Sequence, residues 1–188
     1  MDSDNEFPQP SYREREAIRD YLQIEYEFMP PLEFYANPFN VQYRRHAVST
    51  MVRLSQGEDV DAYIPYLAMN YFDRFVSMNP LAELRGFSLH DKVRLVAICC
   101  FTLSAKMRTT HFLPRQFQMN REVNFNSEKI MQTEFCILNG LNWRMRSITP
   151  FHFLDHYYPT FRMIGGFKRR SINEIIVQSQ GGIVIRVV

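Results

Sequence analysis

The chain has 188 residues, 46% hydrophobic and 22% charged, with a formal net charge of +2. That is enough apolar material for one ordinary globular domain and part of a second, and too little net charge to draw the chain to nucleic acid or membrane. Three cysteines, two of them the neighbours Cys99 and Cys100, form no spaced disulfide framework and fit a reducing compartment, while only 7 glycines argue against a hairpin-rich β fold.

Residues 1–10 are polar, with two prolines, and read as a disordered lead without the character of a secretory signal. A helix is predicted over 11–28, opened by the S-x-x-E capping box of Ser11 and Glu14 and stopped by Met29-Pro30-Pro31. Ile18, Tyr21, Leu22 and Tyr26 recur along it at helical spacing. A second helix is predicted over 40–55, with Ala47, Val48, Met51 and Leu54 on its apolar face. A third is predicted over 61–78, with Leu67, Tyr71, Phe72 and Phe75 as its stripe and Pro65 tolerated near its start. The fourth, over 89–107, is capped by Ser88 and apolar all round in LVAICCFTLSA. Such a helix belongs in the middle of a bundle.

A short helix from Pro114 and a longer one over 127–141 follow, the latter capped by Ser127, with Ile130, Met131, Phe135 and Leu138 pointing inward. Thr149-Pro150 opens another helix in cap-then-proline order, ending at Pro159, and a last helical pattern covers 171–178. The final GGIVIRVV is β-branched and lacks helical period. The pattern as a whole is all-α, and no run is long enough to span a membrane.

The signatures of common enzymes are missing: there is no G-x-G-x-x-G, no G-K-[ST] loop, no H-E-x-x-H and no G-x-S-x-G. No catalytic residue and no cofactor follow from the sequence. His152 and His156 share a helix face at zinc spacing, but a third ligand and a glutamate between them are absent, so they read as ordinary helix residues and no metal is expected. Cys99 and Cys100 read as small core residues, and Lys168-Arg169-Arg170 as a solvated face. The unusual residues are charges set into apolar helices: Arg44, Asp73, Lys106 and Glu134. A buried charge without a partner is costly, so each needs one, within this chain or on another. On the residues alone, the plainer reading of Lys106 and Glu134 is surface charge at helix ends.

Three segments carry a family resemblance. YLAMNYFDRFVS (66–77) resembles the second helix of a cyclin box, LVAICCFTLSAKMR (95–108) its third, and TEFCILNGLNWRMRSITPFHFL (133–154) its fifth helix and the link onward. The sequence is identified as similar to the plant D-type cyclins, and in particular to their divergent sixth subgroup, over residues 11–160. The resemblance implies a cyclin-box bundle of five helices plus an N-terminal helix over 11–146, and an incomplete second cyclin fold with an atypical tail over 147–188. It implies that Arg44 and Asp73 form a buried structural ion pair, that Leu95 is a core signature residue, and that Lys106 and Glu134 reach the kinase. The implied function is a regulatory subunit that binds and activates a cyclin-dependent serine/threonine kinase at G1/S. The alternative is a cyclin-fold adaptor that binds without activating.

Implied partners are the kinase catalytic subunit and kinase-inhibitor proteins, with neither nucleic acid nor membrane, and the implied location is the nucleus, with the cytoplasm second. Two departures modify this picture. In the family's substrate-docking patch, Tyr43 and Arg44 fit, but Thr50 stands in place of a Trp, and Arg53 and Arg94 add positive charge. That patch should repel the basic group of an Arg-x-Leu ligand. No L-x-C-x-E motif for retinoblastoma-type proteins occurs.

Overall fold

The computed structural model describes residues 11–55, 60–61, 63–81, 87–108 and 125–149. The described chain divides into two units, one holding residues 11–29 and 146–149, the other 30–145. In the first, helix α1 (Tyr12–Glu25) runs into a single 3-10 turn at Tyr26–Phe28. The capping box forms as the sequence predicts. The Ser11 hydroxyl accepts from the Glu14 amide at 3.3 Å, and the Glu14 carboxylate accepts from the Ser11 amide at 2.7 Å, so two orphan donors of the helix start are satisfied reciprocally.

The second unit is a helical bundle of α2 (Leu32–Ala36), α3 (Pro38–Leu54), α4 (Tyr63–Met78), α5 (Leu89–Arg108) and α6 (Ser127–Gly140). The short α2 has no counterpart in the sequence reading. α3 begins two residues earlier than predicted, because Asn37 caps it, accepting from the Phe39 amide at 2.9 Å, and Pro38 occupies the first turn where no N–H is needed. Asp61 does the same for α4, accepting from the Tyr63 amide at 2.9 Å. It also accepts from Arg108 at 2.8 Å, tying the end of α5 to the start of α4.

α5 is the axis of the bundle. It packs against α3, α4 and α6. Every residue from Leu95 to Ala105 is buried, as its all-round apolar sequence demands. Leu95, Cys99 and Cys100 are fully enclosed, and burial pushes both thiols well above the usual cysteine range. The predicted apolar faces of α3 and α4 point into the same core, where Ala47, Met51, Leu54, Leu67, Tyr71, Phe72 and Phe75 are buried.

Two expectations for α6 are corrected. Its cap is Asn126, whose side chain accepts from the Lys129 amide at 2.8 Å, and Ser127 is the first helical residue. Met131 and Phe135 do not point inward; they are 64% and 56% exposed. The buried stripe is Ile130, Thr133, Glu134 and Ile137. It passes through two polar residues because the Glu134 carboxylate has partners inside the protein, so the apolar residues beside them are turned outward. The expected helices at 114, 150–159 and 171–178, the two histidines 152 and 156, the basic run 168–170 and the second-fold fragment all lie outside the described residues.

Gly140 closes α6 against α4. A Cβ there would come within 2.8 and 2.9 Å of the Phe75 ring and 3.0 Å of the Asn79 side-chain nitrogen. For Gly140→Ala, helix propensity favours alanine by roughly 0.8–1 kcal/mol, while forcing a methyl into a packed contact costs roughly 1–3 kcal/mol. The contacts are closer than real Cβ atoms tolerate, so the steric cost wins, and a net loss of about 1 kcal/mol is expected in denaturant unfolding. A variant more stable than wild type would show that the Phe75 ring swings aside freely.

Candidate functional site

Four of the charges set into apolar helices meet in two pairs. Arg44 on α3 and Asp73 on α4 are both buried, and the Arg44 Nε donates to the two Asp73 carboxylate oxygens at 2.9 and 3.1 Å. The guanidinium also lies 5.0 Å from the centre of the Tyr35 ring, on α2. Burial pushes the Asp73 carboxyl up to about 6, against the downward pull of Arg44. This pair links three helices within the bundle and faces away from solvent, which suits it to holding the fold.

The second pair is different. Lys106, in the last turn of α5, donates to both carboxylate oxygens of Glu134 on α6 at 2.7 Å. The Glu134 carboxylate also accepts from the Thr102 hydroxyl, one turn before Lys106. The Glu134 side chain is 11% exposed and that of Lys106 is 43%. Glu134 is therefore a buried carboxylate held by two groups of its own chain, not a charge on the surface. An ammonium carries three N–H donors, and among the described residues two bonds go to Glu134, leaving a donor that can reach outward.

Around this pair the helix surfaces are apolar and open. Met107 follows Lys106 and is 52% exposed, and Met131 and Phe135 stand one turn before Glu134 and directly after it. Trp143 is 60% exposed and meets the Phe135 ring edge to face, with centroids 6.2 Å apart. The backbone delivers Trp143 there through a tight stop. The Trp143 amide donates to Leu138 O at 2.8 Å and the Asn142 amide to Asn139 O at 2.9 Å. This is the doubly bonded helix end that requires a left-handed residue.

Asn142 supplies it at φ 51°, and Trp143 follows at φ 60°. Asparagine tolerates that region; a tryptophan there carries strain of about 1–2 kcal/mol. The indole N–H donates to the Asn139 side chain at 3.0 Å. The next two carbonyls are then gripped from α4: Arg74 donates to Arg144 O at 3.0 Å, and the Tyr71 hydroxyl to Met145 O at 2.6 Å. The sequence reading missed both anchors. The signal available was Arg74 itself, a cation amid the apolar stripe of α4.

Of the expected docking-patch residues, Tyr43 is half-buried against the core. Thr50 is buried, Arg53 is exposed and Arg94 is half-buried. They lie on α3 and the first turns of α5, away from the Lys106–Glu134 end of α5. Among the described residues no group of three or more His, Cys, Asp or Glu is placed to hold a metal ion, and no helix is long and apolar enough to cross a membrane.

The geometry is matched by similarity to known proteins. The family model of the cyclin N-terminal domain matches residues 16–146. Cyclin-D2-1 of Oryza sativa subsp. japonica is 38% identical over 148 residues, covering 75% of this chain and 46% of its own. Cyclin-D6-1 of the same plant is 35% identical over 160 residues, covering 84% of this chain and 47% of its own. Putative cyclin-D6-1 of Arabidopsis thaliana is 32% identical over 144 residues, covering 74% and 46%. The chain thus spans about half the length of the curated relatives it matches. A bundle built on one enclosed helix, a domain match across most of its length and this set of relatives together place the chain in the cyclin family, among the plant D-type cyclins.

Proposed function

We propose that this chain is a regulatory subunit that binds and activates a cyclin-dependent serine/threonine kinase in the nucleus, promoting the G1/S step of cell division. The observation that carries the reading is the Lys106–Glu134 pair, fixed between two helices and bordered by the exposed side chains of Met107, Met131, Phe135 and Trp143. Exposed apolar side chains on two packed helices, beside an oriented charge pair, are suited to hold another protein's helix in one position. The apolar contacts supply area, and the charges fix register.

Kinase catalysis needs the regulatory helix of the catalytic subunit turned inward, so that its Glu meets the catalytic Lys. A partner that binds only that arrangement shifts the population toward it without doing chemistry itself. Each tenfold rise in the active fraction requires about 1.4 kcal/mol of differential binding.

The test is to mix the purified full chain with cyclin-dependent kinase catalytic subunits and measure both complex formation and phosphate transfer to a protein substrate. A stable complex with at least tenfold stimulation, about 1.4 kcal/mol, is the expected result. A stable complex without stimulation assigns the chain instead to the adaptor class. Failure to form a complex with any of the kinases removes the reading.

A further inference from the structure

Three side chains of α5, Cys99, Thr102 and Lys106, follow one another at one-turn spacing and reach across to α6. The Cys99 thiol, fully enclosed, donates to Ile130 O at 3.6 Å, a weak bond. The Thr102 hydroxyl, also buried, donates to the Glu134 carboxylate one turn further along α6. Lys106 donates to both oxygens of the same carboxylate. The first two bonds lie inside the bundle, and the third lies at its open end, where the Lys106 side chain is nearly half exposed.

A hydroxyl has one hydrogen to give. Thr102 Oγ1 stands within hydrogen-bonding distance of two acceptors, Cys99 O at 2.9 Å and the Glu134 carboxylate. The Cys99 carbonyl lies mid-helix, where an amide four residues on already serves it. The carboxylate is the charged acceptor, so the hydrogen goes to Glu134. Thr102 is β-branched and buried, hence stiff at its first torsion. Lys106 has a long flexible stem, and its ammonium follows the charge it meets. Of the two groups that hold Glu134, Thr102 is therefore the fixed one and Lys106 the movable one.

We infer that Thr102 is a positioning residue for the proposed kinase face: its hydroxyl fixes the Glu134 carboxylate and, through it, the direction of the Lys106 ammonium. The inference rests on the reading of that face as the kinase-binding one. A partner that draws Lys106 toward an acceptor of its own takes a donor away from Glu134. With Thr102 in place the carboxylate keeps a buried donor and stays where it is. Without that hydroxyl, Glu134 and Lys106 depend on each other alone, and both can turn together. Side chains aligned before binding lose less freedom when the partner arrives, so the hydroxyl contributes to affinity without touching the partner.

The test uses the purified full chain, with kinase affinity measured well below the melting transition. Thr102→Val keeps the shape and removes the hydroxyl; Thr102→Ser keeps the hydroxyl and removes the methyl group. Thr102→Val is expected to weaken kinase binding about tenfold, and Thr102→Ala, a second variant without the hydroxyl, by at least as much. Thr102→Ser is expected to stay within about threefold of wild type. The deciding measurement is a cycle with Glu134→Ala. Because Thr102 acts through Glu134, Thr102→Val should cost less than about twofold on that background. A merely structural loss would recur there in full. Such a recurrence, or a Thr102→Ser variant as weak as Thr102→Val, overturns the inference. A wild-type chain that binds no kinase removes the reading of the face and this inference with it. A wild type that binds, matched by a Thr102→Val that binds equally well, removes this inference alone.

Discussion

Arg44→Ala is expected to destabilise the bundle by roughly 3–5 kcal/mol, the usual penalty for removing one partner of a buried ion pair, and to lower the melting temperature by about 10 °C. The cost comes from what remains. Asp73 is 5% exposed and both of its oxygens accept from the guanidinium that is lost, so a carboxyl group is left buried without its cation. The loss should also depend on pH in a definite direction. Burial raises the Asp73 carboxyl to about 6, above its unfolded value, despite the pull of Arg44. A carboxyl raised in this way contributes stability that is present at low pH and is lost as pH rises to about 6.

In wild type that loss is complete near pH 6. Without Arg44 the downward pull is gone, the Asp73 value climbs further, and the loss continues through neutral pH. The gap between wild type and variant should therefore be small at pH 5 and widen toward pH 8, as read by denaturant unfolding at a series of pH values. The paired replacement Arg44→Met, Asp73→Leu removes both charges and should recover most of the stability. If the single variant melts like wild type at pH 8, the pair does not hold the helices together.

What the sequence disclosed follows from how local each signal is. The helices of 61–78 and 89–107 were legible within a residue or two, because their apolar periods and caps are contained in their own segments. α5 was placed at the centre from LVAICCFTLSA alone, since an all-round apolar helix has no solvent face to offer. α6 was misread in orientation because its buried stripe includes Thr133 and Glu134. The burial of Glu134 depends on Lys106 and Thr102, 28 and 32 residues away, and no local period reveals a partner that far along the chain. The same holds for Arg74 and Tyr71, whose acceptors are backbone carbonyls 70 and 74 residues on. A carbonyl carries no residue signature, so only the fold exposes these bonds. The edge-to-face contact between the rings of His46 and His90 was silent for a related reason: each histidine is unremarkable on its own helix, and only the packing of α3 on α5 joins them.

Lys106→Ala and Glu134→Ala are each expected to weaken kinase binding by about 2–5 kcal/mol, the range for truncating one member of a buried charged pair at an interface, or roughly 30-fold or more in Kd. The two variants should differ in what they do to the free chain. Lys106 is nearly half exposed, so its removal takes a donor from the interface and leaves the Glu134 carboxylate held by the Thr102 hydroxyl. Some folding stability, about 1–3 kcal/mol, goes with it.

Glu134→Gln retains the shape and can still accept from Thr102 or Lys106. It should leave the melting temperature within a few degrees while still weakening the complex, because the carboxylate charge that orients Lys106 is gone. That contrast separates a binding role from a structural one. A purely structural pair would lose melting temperature in step with affinity, and affinity measured well below the melting transition would return to the wild-type value. Phe135→Ala and Trp143→Ala supply the apolar counterpart. Both rings are more than half exposed in the free chain, so truncating them should leave folding nearly unchanged and lower affinity for the kinase, since buried aromatic anchors dominate interfaces of this kind. Full kinase binding in Glu134→Gln, Phe135→Ala and Trp143→Ala together would move the partner to another face of the bundle.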